Sequence, residues 1–151
     1  MQDGKQLKYG WIRGGEEGEN LKVAATQYIA AASGKFVRRT NADSLTVTLA
    51  VAGDSDILGH LETEALNSSD GTEVRKVIYD PTAVFRIPVN GGTFTNAMIG
   101  KQCDLSVASG IQGAALDSSS SDVLVIVGGD DVNNIWVDVR LSVNKTYAGV
   151  V

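Results

Sequence analysis

The 151-residue sequence predicts an all-β fold: a compact β-barrel or β-sandwich with at most one short helix and an extended N-terminal arm. Apolar and polar residues alternate in several segments, which is the pattern of strands with one buried face. Clusters of Gly, Asn, Asp and Ser separate these segments and are typical of turns. With 43% apolar and 21% charged residues, the chain can bury the core of one globular domain.

The first 20 residues are predicted to form an N-terminal arm, and residues 21–151 the single β domain. The arm contains five glycines and few apolar residues. Positions 7, 9 and 11 are apolar and alternate with Lys or Gly, so the segment can pair as a strand with the sheet edge of a partner. The candidate partner-binding residues are Leu7, Tyr9, Trp11 and Arg13. The alternative is that this segment forms the first strand of the domain itself.

Two segments of the first half are predicted to be extended. Residues 23–32 are rich in alanine but lack an apolar stripe with the 3.6-residue period, so we favour extended structure over a helix. Residues 45–52 alternate and predict a half-buried strand. Its buried face is expected to carry Leu45, Val47, Leu49 and Val51.

Four further strands are predicted over residues 57–66, 73–79, 83–89 and 103–107. His60 alternates with apolar neighbours in the first of them and is expected to face solvent. Pro88 lacks a backbone N–H, so the third strand should lie at an edge or end there. Thr95 is a suitable N-cap for one helical turn at residues 96–99, which Gly100 would end.

The last two strands are predicted to form a hairpin. Residues 123–127 are an unbroken run of β-branched residues and leucine, as expected of a strand that is covered on both faces. Turn chemistry follows at residues 128–131. Residues 135–143 then show the cleanest alternation in the chain, with the odd-numbered apolar residues on the buried face.

Charge is distributed unevenly along the chain. Residues 1–40 carry seven Lys/Arg and four Asp/Glu, whereas residues 41–151 carry six and fourteen, within a net charge of −5. Because nucleic-acid binders cluster basic residues, nucleic acid is not an expected partner of this acidic body. No run reaches the roughly 18 apolar residues of a membrane span, and the polar N-terminus lacks the apolar core of a signal peptide. Synthesis in the cytoplasm and no membrane partner are therefore expected.

Little in the sequence points to catalysis or to a cofactor. His60 is the single histidine, and Cys103, at a predicted inward position, is the single cysteine. They offer neither a metal cluster nor a good nucleophile–base pair, so no enzyme activity, no metal and no cofactor are predicted. Two acidic pairs in turns have oxygen ligands that suit a cation, although ordinary turn chemistry is the preferred explanation: Asp54 with Asp56, and Asp130 with Asp131.

Four segments in the second half of the chain carry a resemblance to a known family. They are residues 79–89 (YDPTAVFRIPV), 98–105 (MIGKQCDL), 123–129 (VLVIVGG) and 134–141 (NIWVDVRL). In these segments the chain resembles the head decoration, or cement, proteins of tailed bacteriophages. The resemblance implies a non-enzymatic virion protein on the outer surface of the capsid. It also implies a homotrimer that bridges subunits of the major capsid protein, with an N-terminal arm that contacts the capsid.

Exposed aromatic side chains would anchor such an interface, because Tyr and Trp carry a disproportionate share of binding energy. The candidates are Tyr9, Trp11, Trp136 and Tyr147. A place in the core is the competing interpretation for each tryptophan.

Two other classes of function compete with this one. A carbohydrate- or cell-surface-binding β-domain of a phage tail or spike would need exposed aromatic platforms beside a shallow polar groove. A small β-barrel enzyme would need two carboxylates that converge in a cleft. The small number of aromatic residues disfavours the first, and the shortage of reactive side chains disfavours the second.

Overall fold

The structure, a computed structural model, describes residues 9–40, 45–66 and 70–143. The strands are β1 (Gly10–Arg13), β2 (Gly18–Val23), β3 (Phe36–Arg39), β4 (Thr46–Leu49), β5 (Gly59–Leu61), β6 (Val74–Ile78), β7 (Val84–Pro88), β8 (Gln102–Ala108), β9 (Ile111–Ala115), β10 (Leu124–Gly129) and β11 (Trp136–Leu141). Two three-residue 3-10 turns lie in these ranges, Ala31–Ser33 and Asn96–Met98. The all-β fold class is thereby confirmed.

Five strands close into a small barrel in the order β2-β4-β3-β5-β6. The β2–β4 pair is parallel and the other pairs are antiparallel. Closure leaves no free edge in this barrel. Its interior is filled by small and medium apolar side chains: Leu21, Val23, Ile29, Val37, Val47, Leu58, Leu61, Ala65 and Val77.

The other six strands form an antiparallel sheet in the order β1-β7-β11-β10-β8-β9. The sheet curls, so that β9 comes beside the chain that follows β7. A parallel bridge joins Val89 to Ala114 there, and the Asn90 N–H donates to the Ala114 carbonyl at 2.9 Å. Among the described residues, β1 pairs with β7 alone and is the open edge of this sheet.

A second core lies between the barrel and the sheet, because successive residues of a strand point to opposite faces. In β3, Val37 points into the barrel and Phe36 points toward the sheet. In β6, Val77 points into the barrel and Ile78 points toward the sheet. From the sheet, the buried residues of β7, β8, β10 and β11 meet them. One face of the barrel therefore completes the core of the sheet.

The side chain of Gln112, in β9, ties the two bodies together. Its amide oxygen accepts the N–H of Phe36 at 2.9 Å, and its amide nitrogen donates to the carbonyls of Phe36 and Ala50 at 3.0 and 2.9 Å. The glutamine thus caps the adjoining ends of β3 and β4, where the Ala50 N–H also donates directly to the Phe36 carbonyl at 2.9 Å. Gly34 makes room for it: a Cβ at this residue would lie 2.6 Å from the Gln112 oxygen.

The predicted strands are found, with shifted ends. Strand β4 is shorter than residues 45–52, and Leu45 and Val51, expected inside, are exposed while Ala50 is buried. The predicted hairpin of β10 and β11 is confirmed. Only one face of β10 is fully covered, because Val125 and Val127 are half-buried.

Strands β2, β3 and β9 were not predicted. Each is too short, or too rich in charged or small residues, to show a period of two by itself. The extended structure expected over residues 23–32 is interrupted by a turn at residues 25–26 and ends at Ala31, where a 3-10 turn begins. Pro88 ends β7 as predicted, and the turn predicted at residues 96–99 is the second 3-10 turn.

The predicted boundary between an arm and a domain at residue 20 lies inside β2. From Gly10 onward the N-terminal segment belongs to the folded body, since β1 pairs with β7 and β2 is part of the barrel. The strand interpretation of this segment therefore holds for residues 10–13. Residues 1–8, with Leu7, lie outside the described residues.

Replacement of Gln112 by Leu is expected to destabilise the fold. The Phe36 N–H and the Ala50 carbonyl would lose the glutamine partner while buried, and each such loss costs about 1–3 kcal/mol. Urea unfolding should therefore show a loss of about 2–6 kcal/mol. The control is Gln102→Leu, at an exposed residue of β8 whose amide donates to the Ser142 hydroxyl at 2.8 Å, and the loss there should be smaller, about 0.5–1.5 kcal/mol. Equal losses for the two variants would show that Gln112 does not join the bodies.

Candidate partner-binding site

Trp11 and Arg13 lie in β1, at the open edge of the sheet, and Tyr9 directly precedes this strand. Leu7 lies outside the described residues. Trp11 is half-buried against the core, and its Nε1 donates to the Gly15 carbonyl at 3.1 Å. Tyr9 and Arg13 are exposed, with 41% of Tyr9 and 57% of the Arg13 side chain open to solvent. Trp11 thus anchors β1 to the fold, while Tyr9 and Arg13 are available to a partner.

A cluster of charged residues lies beside β1 on the outer face of the sheet. The guanidinium of Arg86 donates to both carboxylate oxygens of Asp138 at 2.8 and 3.0 Å and stacks 3.7 Å from the ring centre of Trp136. Arg13 reaches the same carboxylate at 3.6 Å. The hydrogen bonds that Arg86 donates to Asp138 are the largest cause of the raised pKa of Arg86. The register Asp138↔Arg86↔Gly10 aligns the three strands for this contact.

Sequence reasoning missed this cluster. Asp138 alternates with inward apolar residues and so was expected on the exposed face, yet only 6% of its side chain is exposed because arginines of two other strands cover it. The pairing of a carboxylate with arginines 52 and 125 residues earlier depends on strand register, which the sequence pattern does not contain.

A cleft runs between the sheet and the barrel next to Tyr9. It contains a cavity of about 280 Å³, whose walls come from β1, the end of β7, the β8–β9 hairpin and the start of β3. A smaller cavity of about 200 Å³ adjoins the same place. The residues that line both are Tyr9, Gly10, Lys35 and His60.

The prediction that His60 faces solvent is wrong, since the residue is only 3% exposed. Its ring stacks on Phe85 at 4.7 Å between centroids and meets the edge of Phe36 at 4.9 Å. Burial, with the positive charge of Lys35 as the second cause, lowers the pKa of His60 from 6.5 to about 3. The imidazole is therefore neutral at neutral pH and serves as an aromatic core residue.

Cys103 is buried in the core of the sheet, at the inward position predicted for it. Burial, and then the nearby charges of Asp104 and Asp122, raise the pKa of its thiol to about 12. Because the thiolate is the reactive form, this cysteine is unreactive at neutral pH.

Asp54 and Asp130, one member of each acidic pair considered as a cation site, accept hydrogen bonds within their own turns. Asp54 accepts the Val51 N–H at 2.8 Å and pairs with Arg38 at 3.2 Å. Asp130 accepts three backbone N–H groups of residues 132–135. In the ranges that the structure describes, no group of three or more His, Cys, Asp or Glu side chains could hold a metal ion.

The serine-rich segment 118–122 wraps around a carboxylate that the sequence did not single out. Asp104 accepts the Ser118 hydroxyl at 2.6 Å and backbone N–H groups of residues 120–122 at 2.7–3.1 Å. Burial raises the pKa of Asp104, but these hydrogen bonds outweigh it and leave the pKa below its ordinary value. The loop is thus pinned to β8.

Comparisons with known proteins do not assign a family. A scan against protein-family models and a search of curated proteins each found no match for the chain. The described part of the chain also contains no helix of the length and apolarity needed to cross a membrane.

Two substitutions should show that the buried Asp138–Arg86 pair contributes more to the free energy of unfolding than the exposed Arg13–Asp138 pair. Asp138→Asn leaves Arg86 beside an uncharged amide, and we expect a loss of about 2–3 kcal/mol, somewhat less than for a fully buried pair. Arg13→Ala removes an exposed ion pair and should cost less than about 1 kcal/mol. Denaturant unfolding measures both. A larger loss for Arg13→Ala would contradict this order.

Acidification should test the burial of His60. The lowered folded-state pKa means that the unfolded chain binds the proton first, so stability is complete above about pH 6.5 and is lost as pH falls toward 3. Between pH 6 and 4.5 the loss should approach about 1.4 kcal/mol per pH unit. His60→Phe should reduce this slope of the unfolding free energy against pH. The titration of carboxyl groups contributes to the slope in both proteins and therefore cancels in the comparison. Parallel curves for the two proteins would show that His60 is not buried neutral.

Proposed function

We propose that the chain is a structural virion protein that decorates the outer surface of a tailed-phage capsid and bridges major capsid protein subunits. On this proposal it is made in the host cytoplasm, acts without catalysis or cofactor, and associates as a homotrimer. Its partners are then the major capsid protein and other copies of itself.

The observation that carries the proposal is where the four resembling segments lie. They contribute β7, β8, β10 and β11, which are four neighbouring strands of one sheet in the order β7-β11-β10-β8. The four resembling segments are separated in the sequence but form adjacent strands of one sheet. Strand β1, with the candidate contacts, attaches directly to β7.

The open edge at β1 also supports a binding role. Proteins either protect an edge strand or use it to pair with a partner. Tyr9 and Arg13 flank this edge as exposed side chains. A ring of identical copies would protect further surface of each chain.

The two side chains best suited to nucleophilic or acid–base chemistry are placed for packing. His60 and Cys103 are both buried, with pKa values moved away from neutrality in the unreactive direction. A cement protein needs no reactive group, because contacts that exist only in the assembled shell stabilise it by mass action.

Co-sedimentation with undecorated tailed-phage capsids tests the proposal. We expect saturable binding in multiples of three copies per site. Tyr9→Ala and Arg13→Glu should each weaken it about tenfold or more, as losses at interface anchors do. The matched control is Lys22→Glu on the exposed face of β2, which should bind like the unmodified chain. A truncated chain that lacks residues 1–8 keeps β1 intact and measures the contribution of those residues to capsid binding.

Absence of binding by the unmodified chain would overturn the capsid proposal. Stabilisation against heat by oligosaccharides in that case would favour the carbohydrate-binding alternative. Equal weakening by Lys22→Glu and Arg13→Glu would show a general charge effect and would argue against β1 as the contact.

A further inference from the structure

The larger cavity of the cleft has the form of a small-molecule site. Its volume of about 280 Å³ lies just below the roughly 300–1,000 Å³ that is usual for ligand pockets. Its walls are mainly apolar and come from both bodies of the fold: Ala31, Phe36, Ile87, Pro88, Ala108 and Ile111. Three of these, Ala31, Ala108 and Ile111, are also exposed, so they mark its opening.

Lys35 supplies the available charge of this cavity. Its ammonium donates to the Glu62 carbonyl at 3.3 Å and, among the described residues, lies within ion-pair distance of no carboxylate. Burial is the largest cause of the lowered pKa of Lys35, and the more distant charges of Glu64 and Glu62 only partly oppose it. A half-buried ammonium with free N–H groups attracts an anion.

The other polar groups of the cavity are mostly satisfied by the protein. Arg86 is neutralised by Asp138, and both ends of the Gln112 amide bind the backbone of the barrel. Two groups remain beside Lys35. The Tyr9 hydroxyl stands at the partly exposed end, and buried His60 has an Nδ1 atom without a hydrogen-bond partner.

We propose that this cavity binds a small monocarboxylate with a short apolar chain, of about the size of octanoate. The carboxylate pairs with the Lys35 ammonium, and the chain packs between Phe36, Ile87 and Ile111. The charge of Lys35 selects the ligand, because a cation with no carboxylate within ion-pair distance in an apolar pocket favours a negative head group over a neutral or cationic one. The cavity volume sets the limit on chain length.

The proposal concerns the isolated chain and does not depend on a capsid. Isothermal titration with octanoate should show saturable binding of one molecule per chain. Octanol should bind at least about tenfold more weakly and octylammonium should not bind, since a charge-assisted hydrogen bond is about twice as strong as a neutral one.

Two variants locate the site. Lys35→Met keeps the length of the side chain and should weaken octanoate about tenfold while octanol changes little; the matched control is Lys22→Met on the exterior of β2. Ala108→Phe fills the opening and should abolish binding of both probes. Thermal unfolding of each variant checks that the fold is retained.

No binding of octanoate by the unmodified chain would overturn the proposal. So would binding that Lys35→Met and Ala108→Phe both leave unchanged, because the ligand would then sit elsewhere. Equal affinity for octanoate and octanol would refute the role of Lys35 and reduce the cavity to an apolar pocket.

Discussion

The junction between the barrel and the sheet is the constraint on which the rest of this structure depends. At its centre, the rings of Phe36, His60 and Phe85 pack together, and the amide of Gln112 replaces the main-chain partners that β3 and β4 lack at their ends. Neither body has a large core of its own. Because one face of the barrel completes the core of the sheet, the two fold as one unit.

The candidate binding features all lie along this junction. Gly10 of β1 lies against His60, with space for a Cβ at 3.6 Å from the imidazole, so the edge strand is seated on the buried aromatic cluster. The cleft exists because two curved sheets meet without filling the space between Tyr9, Lys35 and Ile111. The same contacts that hold the bodies together therefore position both the edge that would meet a capsid and the cavity that would hold a carboxylate.

Several charged side chains of this protein hold strands and loops in place. The carboxylates of Asp138, Asp104 and Asp130 each accept several hydrogen bonds, and each one fixes a strand pair or a loop. Arg13 and Lys35 differ from these carboxylates, since each keeps donors that the protein does not fully use. A role in binding is consistent with this division, in which well-satisfied groups build the scaffold and under-satisfied groups lie at its openings.

The sequence by itself determined the all-β class, the β10–β11 hairpin, the inward position of Cys103 and the end of β7 at Pro88, because these follow from local periodicity and backbone chemistry. Tertiary structure decided the burial of His60, the role of Gln112, the pairing of Asp138 with two arginines and the attachment of β1. In each of these cases the partner is a residue distant in sequence. Strand order and register bring the two residues together, and a local sequence pattern does not specify either of them.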